Sequence, residues 1–379
     1  MLAPLAKLAA LLFQSSRWKG QAKPCMSLMS SKERVLAALK FEKPDRVPIY
    51  DSFWEEFVEA WRREKGLPNE ADIADYYGLD LVVVVPDETP FPNQQGVLEA
   101  TRDHQIVRTG WGAMERTVSG AKFSEVLQVV VAEREAIDRL AFELPLLERR
   151  YPPVEEVRAL QGKRCVFIKT GGPYLRTSFM RGTEQWLMDL AEDEGFAREL
   201  AMRVTQHITA VGLEAIRRYA CYDTGIWFFD DMASNLGPMF SPRTFERVFY
   251  PCYRWMCARY RQAGVAHILL HCDGNIEAIL DMLLDTGIQG IHPVEPKAGM
   301  DAVSLRQRYG RSLALLGGLD NAHILPGGNK AEIERHVLRV LEAGQDGGLV
   351  IGAHSIGPDV SVETYDYVHQ LILKWRKYA

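Results

Sequence analysis

The chain has 379 residues, 47% of them hydrophobic, which is enough apolar material for one large core. Its formal net charge of -5 comes without basic runs or interleaved arginine and aromatic stripes, so composition argues against nucleic acid and leaves small-molecule chemistry in front. The six cysteines (25, 165, 221, 252, 257 and 272) form no Cys-x-x-Cys pair, which argues against a disulfide framework or a cysteine-rich zinc knuckle and fits a reducing cytoplasm. Residues 1–30 carry Lys7, Arg17, Lys19 and Lys23 but no acid, and their apolar run over 8–13 is too short to span a bilayer. They read as a disordered tail or an upstream start ahead of Met26 or Met29, outside the fold, and no transmembrane segment is expected elsewhere.

Ordered structure is expected from Ser30 or Ser31, whose hydroxyl can cap a helix over 32–39 that ends at Lys43-Pro44-Asp45. A short strand over 46–50 closes at Asp51, and an amphipathic helix over 54–65 stops at Gly66 and Pro68. Residues 79–85 form a continuous apolar run, the pattern of a strand buried on both faces, followed by Pro86, Asp87 and Glu88. Between 91 and 131 the pattern changes to short alternating segments with turns at Thr109-Gly110 and Ser119-Gly120, consistent with antiparallel hairpins inserted after the second strand. A helix over 154–160 precedes a third strand over 164–169, which leaves through Thr170-Gly171-Gly172-Pro173 into a long helical region, 183–219. The fourth strand, 225–229, delivers Asp230 and Asp231, and a helix over 242–263 leads to the fifth, 266–271. Strands over 288–292, 312–316 and 348–351 complete the series.

The richest chemistry lies in Ile268-Leu269-Leu270-His271-Cys272-Asp273-Gly274-Asn275-Ile276. Side chains alternate along a strand, so His271 and Asp273 point one way and Cys272 the other. One imidazole and one carboxylate on one side suit a divalent metal or a general acid/base couple. A strand-end histidine bonded to a turn aspartate fits the same pattern.

Eight apolar strands separated by helical segments are the signature of a (β/α)₈ TIM barrel, here with a small β-hairpin insertion after strand 2 that flanks the mouth. In that fold the site lies at the carboxyl ends of the strands. Those ends carry Asp51, Asp87, Glu88, Lys169, Asp230, Asp231, His271, Asp273, His292, Glu295, Asp320 and His354. Part of this acid is expected to cap helices. His354 sits in a Gly-x-His-Ser-Ile-Gly-Pro-Asp stretch whose glycines let backbone approach a ligand, and Glu295 is held between Pro293 and Pro296, with Lys297 near enough to pair with it.

Several stretches resemble the uroporphyrinogen decarboxylase family. They are Lys43-Pro44-Asp45-Arg46-Val47-Pro48, Gly171-Gly172-Pro173-Tyr174, Asp230-Asp231-Met232, His271 to Asn275, Ile291-His292-Pro293-Val294-Glu295-Pro296, Gly317-Gly318-Leu319-Asp320 and Gly352-Ala353-His354-Ser355-Ile356-Gly357-Pro358-Asp359-Val360. The similarity runs from about residue 31 to the C-terminus and implies one barrel domain over 31–379. The family holds a cofactor-free decarboxylase and zinc-dependent methyltransferases that work with corrinoid proteins. The decarboxylase grips its polycarboxylated substrate with arginines just after the first strand, where this chain reads Asp51-Ser52-Phe53-Trp54-Glu55-Glu56. The methyltransferase branch carries His-x-Cys-Gly after strand five and a Cys after strand seven. Here Asp273 stands in the first Cys position, with Cys272 shifted by one, and Asp320 in the second. Hard carboxylates for soft thiolates preserve a metal site while moving it away from thiol activation.

The resemblance therefore implies a metal-dependent methyltransferase or demethylase that passes a methyl group from a small substrate to a corrinoid protein. A decarboxylase-type carboxy-lyase and a non-catalytic binding barrel are the alternatives. Zinc or another divalent metal is expected on His271, Asp273, Glu295 and Asp320. Catalytic roles are expected for His271, Asp230, Asp231, Glu295 and His354, and substrate contacts for Asp51, Tyr174, Lys169 and Asn275. A corrinoid carrier calls for an open mouth with an apolar rim near Trp111 or Phe91.

Overall fold

The computed structural model describes residues 29–121 and 123–375, so the tail expected over 1–30 falls almost wholly outside the described residues. In chain order the strands are β1 (Leu81–Val84), β2 (Gly96–Ala100), β3 (His104–Arg108), β4 (Met114–Val118), β5 (Glu125–Gln128), β6 (Cys165–Gly171) and β7 (Ile226–Phe229), followed by β8 (Ala233–Ser234), β9 (Gly237–Pro238), β10 (Ile268–His271), β11 (Gly290–Val294), β12 (Ala314–Leu319) and β13 (Leu349–Ala353). One parallel sheet runs β1-β6-β7-β10-β11-β12-β13. Parallel neighbours need crossovers, and helices such as Glu194–Tyr219, Tyr250–Gln262, Glu277–Asp285 and Lys330–Glu342 supply them. Between β1 and β6 the chain builds a second, antiparallel sheet in the order β2-β3-β4-β5.

Seven of the eight expected parallel strands form. In the eighth place, expected over 46–50, Ile49 alone pairs, bridging to Ile351 of β13. The segment still ties both edges of the sheet. Tyr50 N donates to Ile351 O and Ile351 N to Pro48 O on one side, and Asp80 N donates to Ile49 O on the other. A fully buried carboxylate fixes this join: Asp80 accepts from Arg34 Nη1 at 2.6 Å, from both Nη atoms of Arg46 at 2.6 and 2.8 Å, from Ile49 N at 2.9 Å and from Ser31 Oγ at 3.1 Å. Helix Ser31–Leu39 is thereby locked beneath the sheet, its start closed by a capping box between Ser30 and Glu33.

Strand parity sorts the core into two layers. Val166 and Ile168, Ile226 and Phe228, Ile268 and Leu270, and Leu349 and Ile351 pack outward against the helices. Cys165 and Phe167, Trp227, Leu269, Ala314 and Leu316, and Val350 pack inward on one another, closed below by Val35 and Leu39 of the first helix. Continuing each inward column by two residues reaches Lys169, Phe229, His271 and, through Gly352, His354. The apolar interior therefore ends in a layer where Lys169 and His271 meet the Phe229 ring and His354 lies beside His271 at the carboxyl ends of the strands, because period-two alternation leaves them no other direction.

Candidate metal centre

Phe229, His271 and His292 are register partners on β7, β10 and β11, so they form a row on the inner face. The His271 ring stacks on Phe229 with centroids 4.2 Å apart and planes 12° apart, and its Nδ1 lies 2.7 Å from Nδ1 of His292. One of these two nitrogens carries the shared proton. Burial, aided by His271 and His354, holds His292 well below the usual imidazole range, so it stays neutral. With Nδ1 engaged, His271 turns Nε2 to the acids: Asp273 Oδ1 at 3.3 Å and Asp231 Oδ1 at 3.5 Å.

His354, beyond β13, places Nε2 at 3.2 Å from the same Asp273 oxygen and Nδ1 at 3.6 Å from Glu295 Oε1. The ligand-type atoms of His271, Asp273 and His354 all lie within 4.8 Å of one another. Burial alone would raise the Asp273 carboxyl, but the imidazoles of His271 and His354 and the Lys297 ammonium hold it below the usual range. His354 is itself pushed down, first by burial. Asp273 Oδ1 has no hydrogen bond of good geometry, although the Nε2 atoms of His271 and His354 stand 3.3 and 3.2 Å from it. The turn that delivers Asp273 needs glycine next, because Gly274 has φ +84° and a Cβ there would stand 2.5 Å from Ser234 O.

Residues 119–375 match the profile of the family described as Uroporphyrinogen decarboxylase (URO-D). The chain belongs to the uroporphyrinogen decarboxylase family. Among solved structures, a methyltransferase from Methanosarcina mazei shares its fold, with a TM-score of 0.66 and 19% identity over 92% of this chain and 99% of that one. Endo-glycoceramidase II from Rhodococcus sp. aligns over 87% of this chain and 79% of that one at 11% identity, with a TM-score of 0.37, too low to bear on function. No curated protein matches.

Within this member of the uroporphyrinogen decarboxylase family, the expected site residues separate into two groups. His271, Asp273 and His354 converge, with Asp231 and Glu295 beside them. Lys169 stands over the Phe229 ring at 3.8 Å, and the remaining ones are engaged by neighbouring parts of the scaffold. Asp320 accepts from Ala322 N and His323 N, so the turn that follows occupies it and it lies outside the triad. Asp230 is fully buried and accepts from Tyr174 N, Leu175 N and Tyr253 Oη, so both of its oxygens are engaged at the start of helix Pro173–Arg181. Asn275 accepts from Glu277 N at the start of the next helix, and Tyr174 packs against Phe240 and Phe249. Asp51 accepts from Ala353 N at 2.6 Å and Tyr365 Oη at 2.8 Å, joining the end of segment 46–50 to β13 and to the last described helix, Val362–Trp375.

Cys272 points away, as parity requires. Its sulfur accepts from Met232 N, and burial raises the thiol well above its ordinary range, so it is not a thiolate ligand. His292 was expected at the mouth but given no role; its signal in the sequence is its place at the end of the strand that follows His271. Glu295 Oε2 accepts from Gly274 N at 2.8 Å, which supports the turn, while Oε1 pairs with Lys297 Nζ at 3.1 Å. As for the expected rim, Phe91 is buried, whereas Trp111 is half-buried and meets Phe179 edge-on.

The buried carboxylates make stability depend on pH. Burial pushes Asp51 up to about 7 and Asp230 up to about 6 from the unfolded 3.8. Between those values the native state holds protons that the unfolded chain has released, so this contribution is full below about 4 and is lost as pH rises through about 7. His207 and His267, lowered to about 4 by burial, act with the opposite sign in part of this window. A comparison with Asp51→Asn isolates the carboxylate. In urea unfolding, the stability difference between Asp51→Asn and wild type should move in favour of the variant from about pH 5 to about pH 8. A pH-independent difference would show that Asp51 is ionised throughout.

Proposed function

We propose that this protein is a metal-dependent methyltransferase or demethylase, built as one (β/α)₈ barrel over residues 31–379, that moves a methyl group from a small methylated substrate to a corrinoid on a partner protein. A cytoplasmic setting fits the five cysteines among the described residues, all free and buried, and among those residues no helix is long and apolar enough to cross a membrane. The observation that carries the reading is the Asp273 oxygen between two imidazole nitrogens at 3.3 and 3.2 Å. Ligand atoms on a tetrahedral ion with bonds of about 2.0–2.1 Å stand about 3.3 Å apart, so the spacing fits an ion the size of zinc.

His271 Nε2, His354 Nε2 and Asp273 would hold the ion, a nitrogen and oxygen set suited to zinc or another divalent metal. When bound, such an ion acts as a Lewis acid toward a substrate oxygen or nitrogen and eases departure of the demethylated group. The chain's own residues prepare the site. A proton on His271 Nδ1, donated to His292, leaves Nε2 as a lone pair facing the mouth. Glu295 sits behind His354 and orients its ring. The stretch 51–56, which has no arginine and whose Asp51 is buried in the scaffold, favours the methyl-transfer reading over decarboxylation.

The test is methyl transfer to free cob(I)alamin, followed by its visible spectrum, with zinc-loaded protein and a panel of methoxylated aromatics and methylamines. Formation of methylcobalamin with at least one substrate, lost in His354→Ala, is the expected result. Failure across the panel with metal bound would favour a binding barrel instead.

A further inference from the structure

We propose that the substrate of this centre carries an anionic group, a carboxylate in its simplest form, and that Lys169 on β6 binds it and determines specificity for it. The location rests on the proposed function; the binding itself can be measured without turnover. Lys169 follows Cys165 and Phe167 in the inward column of β6, so it reaches the same polar layer as His271. Its Nζ stands 3.8 Å from the centroid of the Phe229 ring, the ring on which His271 stacks at 4.2 Å. Two groups that close to one centroid have to take opposite faces. Phe229 therefore separates the ammonium from the triad and fixes it at one wall of the mouth.

Lys169 has no hydrogen bond or ion pair among the described residues. Its neighbours differ. Arg176 is held by Glu88 at 2.6 Å and Lys297, on the far side of the triad, by Glu295 at 3.1 Å. Other buried cations in this chain are given acceptors, carboxylates for Arg34 and Arg46 (Asp80) and Arg181 (Asp189) and backbone carbonyls for Arg150. An ammonium that is largely withdrawn from water and left unpaired is costly, and an anion from outside removes that cost. Burial and then Arg176 lower the affinity of Lys169 for its proton, although Glu88 and Asp231 pull the other way without forming an ion pair with it. Beyond Arg176 the wall continues with Trp111 and Phe179, whose rings lie 5.7 and 5.4 Å from its guanidinium carbon. An aromatic body bearing a carboxylate matches this wall in both shape and charge.

Benzoate is the probe, with benzyl alcohol as its uncharged counterpart, titrated calorimetrically into zinc-loaded and chelator-stripped protein. Benzoate should bind both preparations and benzyl alcohol should bind at least about tenfold more weakly. Lys169→Met should weaken benzoate at least about tenfold in both, while Lys169→Arg stays within a few-fold of wild type. Because the charge is unpaired, Lys169→Met should also melt no lower than wild type, unlike a residue with a scaffold role. Benzoate binding that needs zinc and ignores Lys169→Met places the carboxylate on the metal and overturns the proposal while leaving the metal reading intact. Lys169-dependent binding in protein that never retains zinc supports the proposal and removes the metal reading. Absence of benzoate binding in every preparation overturns the proposal.

Discussion

His271→Ala is expected to leave purified protein with less than about a tenth of an equivalent of zinc, against about one per chain in the wild type, measured by elemental analysis after dialysis. The triad is the group of ligand-type residues that converge among those described, and His271 is its most rigid member. Its ring is fixed on one face by Phe229 and at Nδ1 by His292, so only Nε2 is free to bind. Removing it takes away one ligand of three and the orientation of the site. It also strands Nδ1 of a buried histidine, at about 1–3 kcal/mol. Asp273→Asn avoids that side effect: it keeps the shape, removes the charged oxygen and should lose metal too. Asp320→Asn is the contrast. It weakens a turn whose two N–H donors are local, should cost about 1 kcal/mol, and should leave zinc binding unchanged. Wild-type protein that folds and turns over with no metal at all would rule out the metal centre.

Asp80→Ala should produce the largest loss of stability, about 3–5 kcal/mol, seen as a lower urea midpoint with little change in slope. Five donors converge on this carboxylate from two separate parts of the chain, the helix Ser31–Leu39 and the segment 46–50, and none of its surface reaches solvent. Arg34 would keep Asp45 as a partner, at 2.6 Å, but Arg46 would lose its carboxylate and Ile49 N its acceptor. The join between segment 46–50 and β1 would open first, since Ile49 contributes a single bridge and no ladder to hold it. A variant that unfolds at the wild-type midpoint would mean that the arginines find other partners and that the join is held by packing alone.

The alternation of apolar strands with helical segments was legible in the sequence because both signals are local: a strand buried on two faces reads as an apolar run, and a crossover helix reads by its period. Period two also told which residues near the strand ends share a face, so His271 and Asp273 were paired and Cys272 set apart before any tertiary contact was known. His354 was legible as a strand-end residue with glycines before it. What parity cannot tell is whether an acid at a strand end still has a free oxygen. Asp230 gives both of its oxygens to donors 23 to 56 residues away, and Asp51 to donors more than 300 residues away. Such acids look like ligands in sequence and become caps and ties once the chain has closed. Only folding brought Asp273 within 3.2 Å of His354, from two strands that are not neighbours in the sheet, and left its oxygen without a hydrogen bond of good geometry. Local periodicity fixes the direction in which a side chain leaves the backbone, whereas the partner it meets depends on how the strands are ordered around the sheet, and that order belongs to the tertiary structure.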